Sequence, residues 1–463
     1  MKTLKMIAYG ILASAMVTSA SAATTIRILG SNGDRTATQN AIKNIFTGNW
    51  TFTGNSGSST QADATNAIAS NYGAWNGTWS GNAVIIKVSF AGAVAGVAAV
   101  SGDLNGRFVA TDGSNGSAPA VKDPYASDAV LNTDYELAKP DFGFSTNFQG
   151  TTPFLGDYLS TTYAPLEEEN VGVSPLVFYA SPGYPGSPSA NTATSTNPAF
   201  GSSYASGTYV PNITTQAAQF LYSTGVARLS QFTADPAHEH ITVFALGRNN
   251  DAGQRFGVVT EIGLGTTAAV KVYFPTVSGS TVFSSSLTFG GAVDSQVLWP
   301  VSEQNSGFLP TTTTGDGGYS TGAKLAQSLT THLSLAAART GGNSDATYGF
   351  YIGYVTPSDG NARIVHANVA SGDRGVALSY NGVPYTAANV KNGTYTAWVY
   401  NRIIRRPGSP ASANSGTSIV RNFANALRDR ILTVDGAQGG GILVGDLRIE
   451  RYTDGGLINP LYP

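Results

Sequence analysis

An arginine at the end of a buried strand, followed by small and amide-bearing residues that open a helix, is one way to build an anion cradle. Residues 241–255 have that order. Ile241, Val243, Phe244, Ala245 and Leu246 form a nearly unbroken apolar run, rich in the types a buried strand prefers. The run stops at Gly247, a polar loop carries Arg248, Asp251 and Gly253, and residues 256–262 read as a helix packed back on the sheet. Arginine supplies a planar fork of donors, and free N–H groups at a helix start add partial positive charge. An arginine at a strand end also serves as a surface or ion-pairing residue, so this stretch alone leaves both readings open.

Three other strand ends carry donors of the same kind. Residues 25–29 alternate as a strand, Gly30-Ser31-Asn32-Gly33-Asp34 turns, and Ala37, Ala41, Ile42, Ile45 and Phe46 fall at helical spacing. The loop sets the Ser31 hydroxyl at a helix start, where the plain alternative is an ordinary cap. Residues 84–90 form a second strand, running into the small residues Ala91-Gly92-Ala93 as another helix opens. A third strand, within 140–149, ends in Ser145, Thr146 and Asn147.

Other chemistries have weaker claims. Gly318-Tyr319-Ser320-Thr321-Gly322 has the spacing of a nucleophile elbow, with His332 and His366 downstream and Asp345 or Asp359 to orient one of them. That elbow needs a buried strand directly before it, and the threonine-rich 311–314 is no such strand. His238 and His240 flank Glu239 as two imidazoles on one face of an extended segment, without an obvious third metal ligand. Glu167, Glu168 and Glu169 have no spaced partner carboxylate and read as a solvated loop.

The chain has 463 residues, 55 of them glycine, with no cysteine, 26 basic against 28 acidic residues, and only 12% charged. A large core is affordable at this length. Disulfides, thiolate chemistry and a lipoprotein anchor are excluded, and the balanced charge argues against a nucleic-acid partner. Lys2 and Lys5, the mostly apolar stretch 7–17, and Ala20-Ser21-Ala22 have the layout of an export signal over 1–22. No stretch approaches the roughly 18 apolar residues a membrane span requires. The expectation is a periplasmic or secreted protein that does not span the membrane.

Strands alternating with helices, among them a striped helix through Leu325, Leu329 and Leu333 and another through Ile419, Phe423, Leu427 and Ile431, indicate an α/β fold with mostly parallel sheets. A helix is also expected at 227–232 and a hairpin over 269–274 and 282–287. Gly-, Ser- and Asn-rich insertions are read at 47–82 (with a helix around 61–70), 101–135 and 181–213. Ligands in such sheets collect beyond the carboxyl ends of strands, and each donor-bearing loop above lies at such an end.

Assembled in order, these segments resemble the phosphate-binding periplasmic proteins of ABC transporters, of the type 2 periplasmic binding fold. The likeness is carried by Ile28-Leu29-Gly30-Ser31, residues 89–96, Phe144-Ser145-Thr146, Gly247-Arg248 through Gly253-Gln254, and late segments at 381–383 and 392–398. It implies two α/β lobes joined by crossover strands, with a dehydrated oxyanion held between them. The positions that match the family's ligand-binding residues are Ser31, Ala93, Ser145, Thr146, Arg248, Gly253 and Gln254. Thr146 replaces the carboxylate of the family's Ser-Asp pair, and Ala93, Ala252 and Gln254 stand where hydroxyl donors are expected. Each missing donor to an anion removes roughly 1.5–3 kcal/mol.

The expected organisation is 23–170 plus 380–463 as one lobe and 171–379 as the other, hinged near 165–175 and 375–395. The expected function is a non-enzymatic, monomeric solute-binding protein. It captures phosphate or a related oxyanion for ABC-type uptake with a permease partner, and uses no cofactor and no metal. The alternative is a secreted or surface structural or adhesive protein that keeps the fold without a transport ligand.

Overall fold

The computed structural model describes residues 22–187, 209–266, 268–277, 280–281, 291–303, 308–414 and 416–461. Residues 1–21 of the expected export signal, most of the 181–213 loop and the strand expected at 282–287 lie outside them.

The strands and helices that position the site are, in chain order, β1 (Thr24–Gly30), α1 (Arg35–Ile45), β2 (Trp50–Gly54), β3 (Gly57–Thr60), β4 (Tyr72–Trp79), β5 (Asn82–Ser89) and α2 (Ala93–Ser101). Then come β6 (Phe142–Ser145), β7 (Glu167–Pro175), β8 (Val177–Ala180), β9 (Val226–Arg228), β10 (Ile241–Ala245) and α3 (Gly253–Glu261). The last are α4 (Gly322–Ser328), β11 (Tyr348–Val355), α5 (Pro357–Arg363), β12 (Val376–Ala377), β13 (Trp398–Arg405) and α6 (Ile419–Thr433).

Two main sheets organise them. One has eight strands in the order β7-β13-β6-β1-β5-β4-β2-β3, the other five in the order β9-β10-β11-β8-β12. The chain leaves the first sheet at Pro175 and enters the second at Val177, and β13 brings it back to pair antiparallel with β7 from Trp398 to Arg405. The fold is two-lobed α/β, as the sequence indicates, but its sheets are mixed rather than mostly parallel. Within these two sheets, parallel pairing among the described residues is confined to β6-β1-β5 and β10-β11.

The connections explain the difference. β4 and β5 are joined by Ser80 and Gly81, both at positive φ (49° and 77°), a two-residue turn that permits only an antiparallel hairpin. The stretch 47–82, expected as an insertion, is therefore mostly sheet: β2, β3 and β4 flank a short helix, Thr65–Ala69. Trp50, Phe52 and Trp75 sit in the core beneath them, with the indole of Trp75 donating to Gln39 at 2.8 Å. Each such side chain buried is worth about 1.5–3 kcal/mol or more, which outweighs the weak strand preference of the intervening Gly and Asn. Two further expectations are corrected. Residues 226–228 form a strand followed by the single turn Ser230–Thr233, and Leu333 lies in a short strand beyond α4.

α2 is buried along its whole length, as expected for Ala-Val-Ala-Gly-Val-Ala-Ala-Val-Ser with no charged residue. α6 begins at Ser418, whose hydroxyl accepts from the Arg421 N–H at 3.0 Å, and buries Val420, Phe423, Ala424, Leu427 and Ile431 against α1 and the large sheet. Beyond it the tail crosses the molecule: Ile442, Leu447 and Ile449 enter the core that also holds Val258 and Trp398. Among the described residues no helix is long and apolar enough to cross a membrane.

Candidate functional site

β10 delivers Arg248 to the junction of the two sheets. Its backbone pairs with Tyr319, and three of its five guanidinium N–H donors are engaged: Nε donates to the Tyr319 carbonyl at 2.9 Å, Nη2 to the Ser320 carbonyl at 3.0 Å, and Nη1 to Gln254 Oε1. Burial draws its pKa down to about 10, with Asp359 and Tyr354 pulling the other way, so it stays charged at neutral pH.

A cavity of about 120 Å³ opens beside this fork, between the start of α1 in one lobe and the starts of α4 and α5 in the other. Four charged residues line it: Arg35, Arg248, Arg363 and Asp359. Asp359 is the shared carboxylate. Its Oδ1 accepts from Arg363 Nη1 at 3.2 Å, its Oδ2 lies against Gly322 at the start of α4, and its charge bears on both Arg35 and Arg248. Burial lowers the Arg35 pKa, opposed by Asp359 and reinforced by Arg363. Arg35 Nη1 donates to Asn71 at 2.8 Å, while the buried Nε atoms of Arg35 and Arg363 have no hydrogen-bond partner. The remaining wall is hydroxyl, amide and glycine, including Thr36, Ser174, Ser358 and Asn401. Gly439 and Gly440 complete it, one against Thr36 and the other near Ser358, so the tail touches both lobes there.

Of the seven residues taken from the resemblance, Arg248 and Gln254 line this cavity and the other five do not. Ser31 is buried, and its hydroxyl accepts from the Gly33 N–H at 2.9 Å, the plain capping role. The Ser145 hydroxyl donates to the Asn147 carbonyl and accepts from the Asn147 N–H, both at 3.0 Å. Ala93 opens α2, but the next N–H, that of Val94, donates to the Asp251 carbonyl at 3.2 Å. A donor that would face an anion is thus spent on the other lobe's backbone. Thr146 and Gly253 meet face to face: a methyl group added at Gly253 would collide with Thr146 Oγ1 and with Ala93 Cβ. Asn147 Nδ2 reaches the Gly253 carbonyl and Asp454, each at 3.3 Å. The hydroxyl Thr146 Oγ1 is buried without a partner beside this contact. Ala93, Thr146 and Gly253 are therefore brought together as a lobe-to-lobe contact next to the cavity, with no room left for an ion among them.

Sequence reasoning missed Arg35 and Arg363 as site residues, and weighed Asp359 only as an orienting carboxylate. One signal was available for all three, since Arg35 follows the turn Ser31–Asp34 directly and Asp359 and Arg363 sit four apart on the helix that follows β11. The competing motifs do not assemble. The Ser320 carbonyl accepts from Arg248, whereas His332 Nε2 bonds Asp373 at 2.7 Å and His366 Nδ1 accepts from the Asn368 N–H at 3.1 Å. His238 is buried against the Thr233 hydroxyl and His240 is exposed on Asp345, so the two imidazoles do not share a face.

No protein-family model and no curated protein sequence matches the chain. Several solved structures are similar to it, three of them as follows. A substrate-binding protein assigned to a phosphate ABC transporter of Clostridium perfringens, with phosphate bound, is 11% identical over 91% of this chain and 100% of its own, with a TM-score of 0.40. An ABC-type phosphate transport receptor from Vibrio cholerae is 10% identical over 90% and 99%, also with a TM-score of 0.40. PstS from Borrelia burgdorferi is 9% identical over 90% and 98%, with a TM-score of 0.34. Overlaps this loose carry no argument about the ligand, and the two-lobed α/β reading rests on the sheet order and register above.

Proposed function

We propose that the chain is a solute-binding protein that captures phosphate or a related oxyanion between its two lobes, outside the inner membrane, for uptake by an ABC permease. The observation that supports this is the cavity at the junction of the sheets, where three guanidinium groups face one carboxylate. That leaves two positive charges in a half-enclosed polar space, where opposite charge is favoured more strongly than in bulk water. Arg35 comes from one lobe and Arg248 and Arg363 from the other, so an anion there would bridge the lobes and favour closure. On this reading the protein is a monomer without enzymatic activity, and Gln254 serves to hold the Arg248 fork in place.

A second reading, a secreted or surface structural protein without a transport ligand, is favoured by one specific observation. The contact of Thr146 with Gly253, and the Val94 bond to Asp251, join the lobes directly where donors to an ion are expected. Calorimetric titration with phosphate, sulfate, arsenate and molybdate, repeated on Arg248→Ala, separates the two. Micromolar or tighter binding of one ion, lost in the variant, supports capture; no heat from any of them leaves the structural reading standing.

A further inference from the structure

Resting on the oxyanion reading of the same cavity, we propose that the glycine-rich tail loop 436–441 is a flap that gates it. An ion then enters and leaves past this loop, without the lobes having to separate. The rim of the cavity is the first argument. Of the residues that line it, the exposed ones are Ser358 of α5 and Gln438, Gly439 and Gly440 of the loop. Arg248 is buried, and Arg35, Asp359 and Arg363 are half-buried. The way from the arginines to solvent therefore passes the loop.

The second argument is how the loop is held. Both ends of its stem are fixed on the lobe of the large sheet. Asp435 is buried and accepts from Arg430 Nε at 2.7 Å and from Asn44 Nδ2 at 3.2 Å. Ile442 exchanges two backbone hydrogen bonds with Val173 of β7, both of 2.9 Å. The stem is narrow, since a side chain at Gly441 would collide with the Gly436 carbonyl. The tip is held differently. Among the described residues no hydrogen bond joins Gln438, Gly439 or Gly440 to either lobe. It rests there by contact: a Cβ at Gly439 would lie 3.1 Å from Thr36 Cβ, and one at Gly440 3.8 Å from Ser358 Cβ. A segment with firm ends and a tip without hydrogen bonds opens at low cost. Gly439 and Gly440 stand at φ 65° and 81°, where other residues are strained, and their lack of side chains leaves the cavity unplugged.

The test exploits the absence of cysteine from the chain. Two thiol pairs are built into the full-length protein. Thr36→Cys with Gly439→Cys fastens the tip to the lobe that carries its stem and leaves the lobes free to separate. Ser358→Cys with Gly440→Cys fastens the tip to the other lobe and so stops both motions. A disulfide needs Cβ atoms about 3.5–4.5 Å apart, and a pair that does not oxidise is joined by a short bis-methanethiosulfonate. Each variant is loaded while reduced with radiolabelled phosphate, or with whichever of the four ions above binds the parent. It is then oxidised, and release into excess unlabelled ion is timed. The Thr36/Gly439 pair is expected to slow release by at least about tenfold, with the rate restored by reduction. Slowing confined to the Ser358/Gly440 pair would make lobe separation the exit and overturn the gate, as would unchanged release in both pairs; either leaves the oxyanion reading intact. A parent that binds none of the four ions would overturn both.

Discussion

At the scale of single residues, Arg248 is committed before any ligand arrives, because two backbone carbonyls and Gln254 hold its fork rigid. Removing a charge-assisted partner of an anion costs roughly 1.5–3 kcal/mol. Arg248→Ala is therefore predicted to weaken oxyanion binding by about 10- to 150-fold in calorimetry. Arg248→Lys is predicted to recover only part of that, since a point charge cannot replace the fork. Asp34 supplies a pH signature. Burial pushes its carboxyl well above the ordinary 3.8, with the Ser31 hydroxyl and Arg402 pulling the other way. A carboxyl whose pKa is raised by folding contributes stability that is complete below its unfolded pKa and is lost as pH rises through the folded one. Asp34→Asn, similar in shape and never ionised, is predicted to flatten the decline of Tm as pH rises above the ordinary carboxylate range and to exceed the parent once the Asp34 carboxyl would have to ionise. A variant profile that overlays the parent's would refute this assignment. The types of these residues were legible in the sequence; the burial of Asp34, which decides its titration, was not.

At the scale of elements, the start of α3 is where the lobes touch. Gly253→Ala drives a methyl group into Thr146 and Ala93, an overpacking that typically costs about 1–3 kcal/mol. The strain can be relieved by separating the lobes, so the variant is predicted to have a lower Tm and a larger radius of gyration by small-angle scattering. A lowered Tm with an unchanged radius would place the strain inside one lobe. Ser418→Ala removes the cap of α6 and is predicted to cost about 1 kcal/mol by chemical denaturation. Element types followed from the chain wherever a strong pattern stood alone: β1, β5, β10, β11 and α6 all fall where periodicity places them. The meander from β2 to β4 was hidden because its strands are built of Thr, Gly, Asn and a few aromatics, whose strand character comes from packing on the sheet rather than from local preference.

For the whole molecule, the tail is what ties the lobes. Arg451 pairs with Glu261 at 3.1 Å and lies over the Trp398 ring, while Asp454 accepts from the Phe148 N–H at 3.0 Å and from the Thr151 hydroxyl. Burial draws the Arg402 guanidinium, stacked on Phe148 beside this contact, down to about 10, with Asp454 and Glu168 opposing. A ligand that binds only the folded chain adds about 2.7 kcal/mol at 100 times its Kd. The Tm is thus predicted to climb with the concentration of the preferred anion, and less steeply in Arg35→Gln, which removes the charge that one lobe contributes. A Tm insensitive to every anion would favour the structural-protein reading.

The residues alone determined the α/β class, the strands that end in donor-bearing loops and the prominence of Arg248, because buried runs, helical stripes and glycine turns are local patterns. They could not determine which loop ends meet. The family resemblance implied that Ser31, Ala93, Ser145, Thr146 and Gly253 surround an ion, yet tertiary packing presses Thr146 on Gly253 and gives the Val94 N–H to Asp251. The cavity formed instead where Arg35, Asp359 and Arg363 converge on Arg248. That convergence depends on how two separately built sheets are set against each other through Leu176 and the returning strand β13, a long-range arrangement that no local pattern encodes.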